Sequence, residues 1–257
     1  MPPLVTEALV LHVLDYRETS RILRLATREA GVCSVIARGA RRPKSRFGPA
    51  LDLFAQGTAQ LVTLPNRDLH TLAAFEVSRS RGGLAGRWSR FTAASALAEL
   101  VLRVAEGEPH VGLYEELRMA FDRIEDAPDA AASSAGLAAV WRVVNELGFS
   151  PALDACVRCE DAIPPEGTAG FDAALGGVVC AACDRLVPAR RRLPASARQA
   201  LARWIEGDAA TPLDAASTRA HQRLLREFLQ AHLGDHRPLR AFEVWERGSL
   251  DIGTGAT

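Results

Sequence analysis

Gly82-Gly83-Leu84-Ala85-Gly86, followed by Arg87-Trp88-Ser89-Arg90-Phe91-Thr92-Ala93-Ala94-Ser95-Ala96-Leu97-Ala98, is where the chain changes its period. Upstream, apolar residues recur at every second position in short runs. Downstream, Phe91, Ala94, Leu97, Ala98, Val101, Leu102 and Ala105 recur at the spacing of one helix face. The three glycines have no Lys-Ser/Thr end and no parallel-sheet unit around them, so they read as a linker and not as a phosphate-binding loop. The expected fold class is α+β, with strands first and helices after.

Toward the N-terminus, strands are expected at residues 8–14, 22–26, 32–37, 51–64 (broken at Gly57) and 69–77, with turn signals at Gly31, Gly39, Pro49 and Pro65-Asn66. Five short strands in this length fit a small closed barrel, which leaves no exposed sheet edge. Toward the C-terminus, helices are expected at 88–106 and 110–125, the second carrying Leu113, Leu117, Met119, Ala120, Phe121 and Ile124. Pro128-Asp129 restarts the chain. Leu137, Val140, Trp141, Val144 and Leu147 form the next stripe, which Gly148 ends at a position that tolerates left-handed backbone. Two more helices are expected at about 196–206 and 215–233. The organisation read from this is a barrel at 1–80, a helical domain at 81–150 and 188–248, a cysteine-bearing insert at 151–187 and a disordered tail at 249–257.

The 257 residues are 48% apolar, enough for a sizeable core. No apolar run approaches the roughly 20 residues that span a bilayer, and the first residues lack a basic start and an apolar signal core. A soluble cytoplasmic protein is expected. Net charge is zero, but residues 1–92 carry 14 Lys/Arg against 7 Asp/Glu, and residues 93–155 carry 4 against 11. Such asymmetry points the first segment toward nucleic acid or an acidic partner.

The surest site is Cys156-x2-Cys159 with Cys180-x2-Cys183. Two residues between ligands let a tight knuckle aim both sulfurs at one ion, and two knuckles make a tetrahedron of thiolates, the closed set of structural zinc. Pro164-Pro165, Gly167 and Gly176-Gly177 mark a loop-rich insert that such a staple would hold in order. A pair of redox disulfides is disfavoured by a reducing cytosol. Catalytic zinc, as in a metal hydrolase or nuclease, needs an open position that four thiolates do not leave. Cys33 lies in an apolar strand and reads as a small core residue.

The candidate nucleic-acid site is the basic loop Arg38-Gly39-Ala40-Arg41-Arg42-Pro43-Lys44-Ser45-Arg46-Phe47-Gly48, with five cations and no acid. Clustered Arg and Lys bind phosphates and release counterions, and Phe47 is placed to stack on an unpaired base. Arg17 and Arg21 in the first hairpin, and Arg67 before the last strand, extend the path. If all five loop cations meet single-stranded phosphates, the log–log salt slope should be about −3.5. The acidic stretch Glu106, Glu108, Glu115, Glu116, Asp122, Glu125 and Asp126 reads as a solvated helix face, with docking of a basic partner as the alternative. His232 and His236 are four apart but separated by Gly234, a poor metal pair. No Ser/His/Asp set or paired carboxylate stands out, so no catalytic residue is expected.

In order along the chain, Ala8-Leu9-Val10-Leu11 with Tyr16-Arg17-Glu18-Thr19-Ser20 and Leu23, then Gly31 and Arg38-Gly39-Ala40-Arg41-Arg42 with Lys44-Ser45-Arg46, then Leu51 and Phe54, then Glu146-Leu147-Gly148-Phe149-Ser150-Pro151-x-Leu153 with Cys156 and Cys159, resemble the bacterial DNA repair protein family RecO. The resemblance spans about residues 5–230. It implies an N-terminal OB-fold, a helical domain and a zinc-binding insert. It also implies a non-catalytic mediator of recombinational repair in the bacterial cytoplasm, associated with the nucleoid. Such proteins bind single- and double-stranded DNA, anneal complementary strands, and with RecR help load RecA onto DNA coated by single-strand-binding protein, whose acidic C-terminal tail they contact. Some members lack the cysteines, so the family's activity does not rest on zinc chemistry. The rival reading is a zinc-containing protein–protein adaptor without DNA contact.

Overall fold

The computed structural model describes residues 3–47, 51–63, 67–105, 109–187, 189, 191–208, 212–234 and 237–248. Gly48, Pro49, Pro65, Asn66, Glu106, Glu108, His236 and the expected tail lie outside the described residues. The chain divides into two compact units between Asp126 and Ala127.

In the first unit, β1 (Leu4–Tyr16), β2 (Ser20–Thr27), β3 (Gly31–Ala37), β4 (Gln56–Val62) and β5 (Leu69–Arg79) close into a barrel in the order β1-β2-β3-β5-β4. All pairs are antiparallel except β3 with β5. This is the expected five-stranded OB-fold barrel. β1 is long enough to serve two neighbours. Its first half pairs with β4 from Leu4↔Leu61 to Leu9↔Gln56, and its second half follows β2 to Tyr16↔Ser20. Alternation sets the inside: along β4, Gly57, Ala59 and Leu61 are buried while Thr58, Gln60 and Val62 are exposed. They join Ala8, Val10, Leu23, Leu25, Val35 and Leu72 in the barrel core.

The fourth strand starts at Gln56, not at residue 51. The apolar residues before it belong to a turn. Phe54 takes left-handed backbone (φ 67), donates its N–H to the Val10 carbonyl at 2.8 Å, and sets its ring 5.2 Å from that of Phe121. Gly57, read as a break, lies inside the strand beside a register shift. A Cβ there would stand 2.2 Å from the Glu76 carbonyl oxygen, so only glycine permits this close approach of β4 and β5.

The glycine linker forms one helical turn, α1 (Gly82–Ala85), before α2 (Trp88–Val104) and α3 (Val111–Asp126). These helices cluster with the barrel. Arg81 explains much of that. Its side chain is fully buried, where an unpaired guanidinium would cost several kcal/mol. It donates to Asp122 at 2.8 Å, to Gln56 Oε1 at 2.7 Å and to the Phe54 carbonyl at 3.3 Å. Arg79 reaches Glu125 at 2.8 Å and Asp122 at 3.0 Å. The acidic face of α3 is thus partly neutralised from within, and is not simply a solvated face.

In the second unit, α4 (Ala132–Glu146) precedes the insert, and α6 (Ala195–Glu206), α7 (Ala215–His232) and α8 (Arg240–Gly248) follow it. α4 packs on α6 and α7, so the helical layer closes across the insert. Trp141 of α4 and Phe228 of α7 meet at 5.2 Å between ring centroids. Gly148 ends α4 as expected: at φ 82 it donates to the Asn145 carbonyl, and Phe149 N–H to that of Val144, a Schellman pair. The insert itself holds β6 (Ala169–Asp172), β7 (Gly177–Val179), the short helix α5 (Ala181–Leu186) and β8 (Arg191–Leu193), with sheet order β7-β6-β8. Among the described residues no helix is long and apolar enough to cross a membrane.

Candidate nucleic-acid interface and metal centre

The basic loop after β3 is a run of turns, not an extended arm. Arg41 N–H donates to the Thr19 carbonyl at 3.0 Å, which fastens the loop to the tip of the first hairpin. Arg42 N–H donates to the Gly39 carbonyl at 3.1 Å, and Ser45 N–H to that of Arg42 at 3.0 Å. The far end is anchored by Phe47, which is 3% exposed and packed in the barrel core. Phe47 therefore does not present its ring to a base, contrary to the sequence reading. Burial of an aromatic ring outweighs its display, and Arg46 covers what remains, its guanidinium 4.9 Å from the ring centroid.

The predicted cations separate into three groups. Arg17, Arg38, Arg42 and Arg67 line one groove of about 780 Å³, drawn from three separate loops. The groove also contains Tyr16, Ile36, Leu69 and Asp68. Among the described residues none of its four arginines pairs with a carboxylate. Arg21 and Arg41 do: both reach Asp15, at 3.3 Å and 3.5 Å. Lys44 and Arg46 are exposed on the loop and do not line the groove. Asp15 was not singled out in the sequence, and Tyr16 entered only through the family resemblance, not as a site residue; the local signal was their place beside Arg17 at a hairpin tip.

Arg17 is held in left-handed backbone (φ 51), with its guanidinium 5.2 Å from the centroid of the Tyr16 ring. A non-glycine residue in that region costs energy and recurs at functional sites. Cys33 is only partly exposed, and burial pushes its thiol up to about 11, so at neutral pH it stays a thiol.

The four insert cysteines come together. Their sulfurs all lie within 4.8 Å of one another, and Cys159 Sγ and Cys180 Sγ are 3.7 Å apart. Tetrahedral zinc with bonds of about 2.3 Å places its sulfurs about 3.8 Å apart, so the donor set fits such an ion. Backbone donors already face the sulfurs: Cys180 N–H points to Cys156 Sγ at 3.3 Å, and Cys183 N–H to Cys180 Sγ at 3.4 Å. Burial raises the Cys156 thiol, but N–H groups of Cys180, Arg158 and Cys159 outweigh it and bring it down to about 6. Arg158, inside the first knuckle, joins the halves of the insert. It donates to the Cys183 carbonyl at 3.3 Å and pairs with Asp172 of β6 at 2.8 Å. His232, by contrast, bonds the Phe228 carbonyl and stacks on the Phe228 ring, away from any metal role.

Known proteins resemble this chain in sequence over most of its length. The family profile described as "Recombination protein O N terminal" matches residues 1–81, and that described as "Recombination protein O C terminal" matches residues 86–241. The chain is similar to a protein of Anaeromyxobacter sp. (strain Fw109-5) named DNA repair protein RecO, with 36% identity over 240 residues covering 91% of this chain and 93% of that one. It is similar to proteins of the same name from Rubrobacter xylanophilus, 32% identical over 91% of this chain and 92% of that one, and from Symbiobacterium thermophilum, 32% identical over 79% of each.

Proposed function

This chain belongs to the RecO family of DNA repair proteins, and on that premise we propose that it is a non-catalytic mediator that binds single- and double-stranded DNA through its barrel and anneals complementary strands. With RecR it would help load RecA onto DNA coated by single-strand-binding protein, whose acidic C-terminal tail it contacts. The cell compartment is the bacterial cytoplasm, at the nucleoid. The observation that carries the reading is the groove in which Arg17, Arg38, Arg42 and Arg67 converge without carboxylate partners among the described residues.

The mechanism follows from charge. Two complementary strands repel each other through their phosphates. Cations fixed on a rigid barrel neutralise part of that charge and release counterions. Base pairing then drives annealing, with no bond made or broken by the protein. In the insert, Cys156, Cys159, Cys180 and Cys183 would hold one structural zinc ion. Such an ion would supply fixed coordination that orders the insert, and four thiolates would leave it no open position for substrate. Residues 1–80 act as the DNA-binding domain, and the helical segments at 81–150 and 188–248 supply protein-binding surface.

The test is fluorescence anisotropy with labelled single-stranded DNA across a salt series, followed by an annealing assay. Four groove contacts predict a log–log slope of about −2.8. Changing Arg38, Arg42 and Arg67 together to Glu should abolish most binding. Unchanged affinity and slope would remove the groove from the reading. Absence of any salt-dependent binding by the native protein would favour the adaptor reading.

A further inference from the structure

Cations alone do not distinguish a duplex from a single strand. The groove has two features beyond charge. It is concave, with arginines on the hairpin tip, on the turn after β3 and ahead of β5. It also carries one aromatic side chain, Tyr16, at the end of β1, where the strand pairs Tyr16↔Ser20 before turning. The ring is half-buried, and the guanidinium of Arg17 lies 5.2 Å from its centroid. Phe47, the other aromatic of this region, is sealed in the core. Among the described residues Asp68 is the one acid lining the groove. It repels phosphate and accepts a hydrogen bond from an N–H donor, which the edge of an unpaired base offers and a phosphate does not.

Resting on the DNA-binding reading above, we infer that this groove is a subsite for unpaired nucleotides, in which Tyr16 stacks on a base and Arg17, Arg38, Arg42 and Arg67 hold the flanking phosphates. A duplex keeps its bases stacked on each other and offers the groove only its backbone. The aromatic ring therefore contributes to single-strand binding alone, while the arginines serve both forms. Because stacking displaces no counterions, losing the ring lowers affinity without changing the salt slope.

The experiment compares native protein with Tyr16→Ala, Tyr16→Phe and Tyr16→Trp. Binding to a labelled oligothymidine and to a duplex of equal length is followed by anisotropy across a salt series, with thermal unfolding run on each variant. Tyr16→Ala should weaken single-strand binding by about tenfold, as expected for one stacked base. Its slope should equal the native slope, and its duplex affinity should be unchanged. Tyr16→Phe and Tyr16→Trp keep a ring and should bind single strands within about twofold of native. If Tyr16→Ala unfolds early, the comparison moves to Tyr16→Leu against Tyr16→Phe at a temperature where both are folded. Equal single-strand affinity with and without a ring overturns the inference, as does an equal loss on duplex. Either result leaves the DNA-binding reading standing. That reading fails separately, if native protein binds neither oligonucleotide.

Discussion

Asp15 Oδ2 lies 3.5 Å from the guanidinium of Arg41, and the same carboxylate reaches Arg21 at 3.3 Å. One acid at the hairpin end therefore occupies two of the cations that sequence places on the nucleic-acid path. All three side chains are substantially exposed, so the pairs contribute little to stability. On the proposed DNA-binding reading, their effect is on where phosphate is held. Asp15→Asn should free both arginines, tighten DNA binding at low salt and steepen the log–log salt slope by about 0.7 for each arginine recruited. An unchanged slope in anisotropy titrations would mean that phosphate already displaces Asp15 from both.

Phe47 separates a packing role from a binding role. Phe47→Ala removes a fully buried ring from the barrel core and should cost about 3–5 kcal/mol in urea unfolding. Phe47→Leu fills most of the same space. It should leave DNA affinity within about twofold of native, since no base touches the ring. A large loss of single-strand affinity in a well-folded Phe47→Leu protein would return the ring to the interface.

His221 gives the second unit a measurable pH dependence. It is 4% exposed, its ring meets Trp204 at 4.9 Å, and burial lowers its pKa from 6.5 to about 4. The folded state therefore resists a proton that the unfolded chain accepts between about pH 6.5 and 4. Above that window His221 contributes no penalty. As pH falls through it, stability is lost, reaching about 3 kcal/mol below pH 4. Chemical denaturation from pH 7 to 4 should show this slope, and His221→Phe should flatten it.

The metal centre is tested by content and by colour. Protein purified without chelator should carry one zinc per chain, and cobalt exchanged into the site should show the thiolate charge-transfer and ligand-field bands of tetrahedral four-sulfur coordination. A strong chelator should lower the thermal midpoint, because binding free energy at such sites is folding free energy. Single-strand affinity of the chelated protein, measured while the barrel remains folded, should fall little. Loss of DNA binding in step with metal loss would tie the insert to the interface.

Much of this was legible in sequence. The barrel strands and long helices follow from period, and the knuckles from spacing, because those signals are local. The start of β4 was not, since Leu51 and Phe54 reach the interior from a turn, and burial there leaves the same apolar mark as a strand. Phe47 misled for a similar reason: beside Arg46 it reads as a base-stacking residue, and only the closed barrel shows that the ring turns inward. Arg81 carried no signal in the sequence, because its partners Phe54, Gln56 and Asp122 stand far away along the chain. α8 was missed although Leu239, Phe242 and Trp245 recur every third residue, because the segment is short and otherwise polar.

The insert between α4 and α6 also bears on the order in which the second unit assembles. α4 leaves the ribosome before the helices it packs against, and residues 147–194 must close as a loop before α4 can meet α6. Joining Cys156 to Cys183 through one ion bypasses more than half of that loop. The closure entropy falls by roughly 1 kcal/mol, since it grows with the logarithm of length. A metal ion captured early would thus hasten helix docking as well as hold the finished insert, and metal supply during synthesis would govern the yield of native chain.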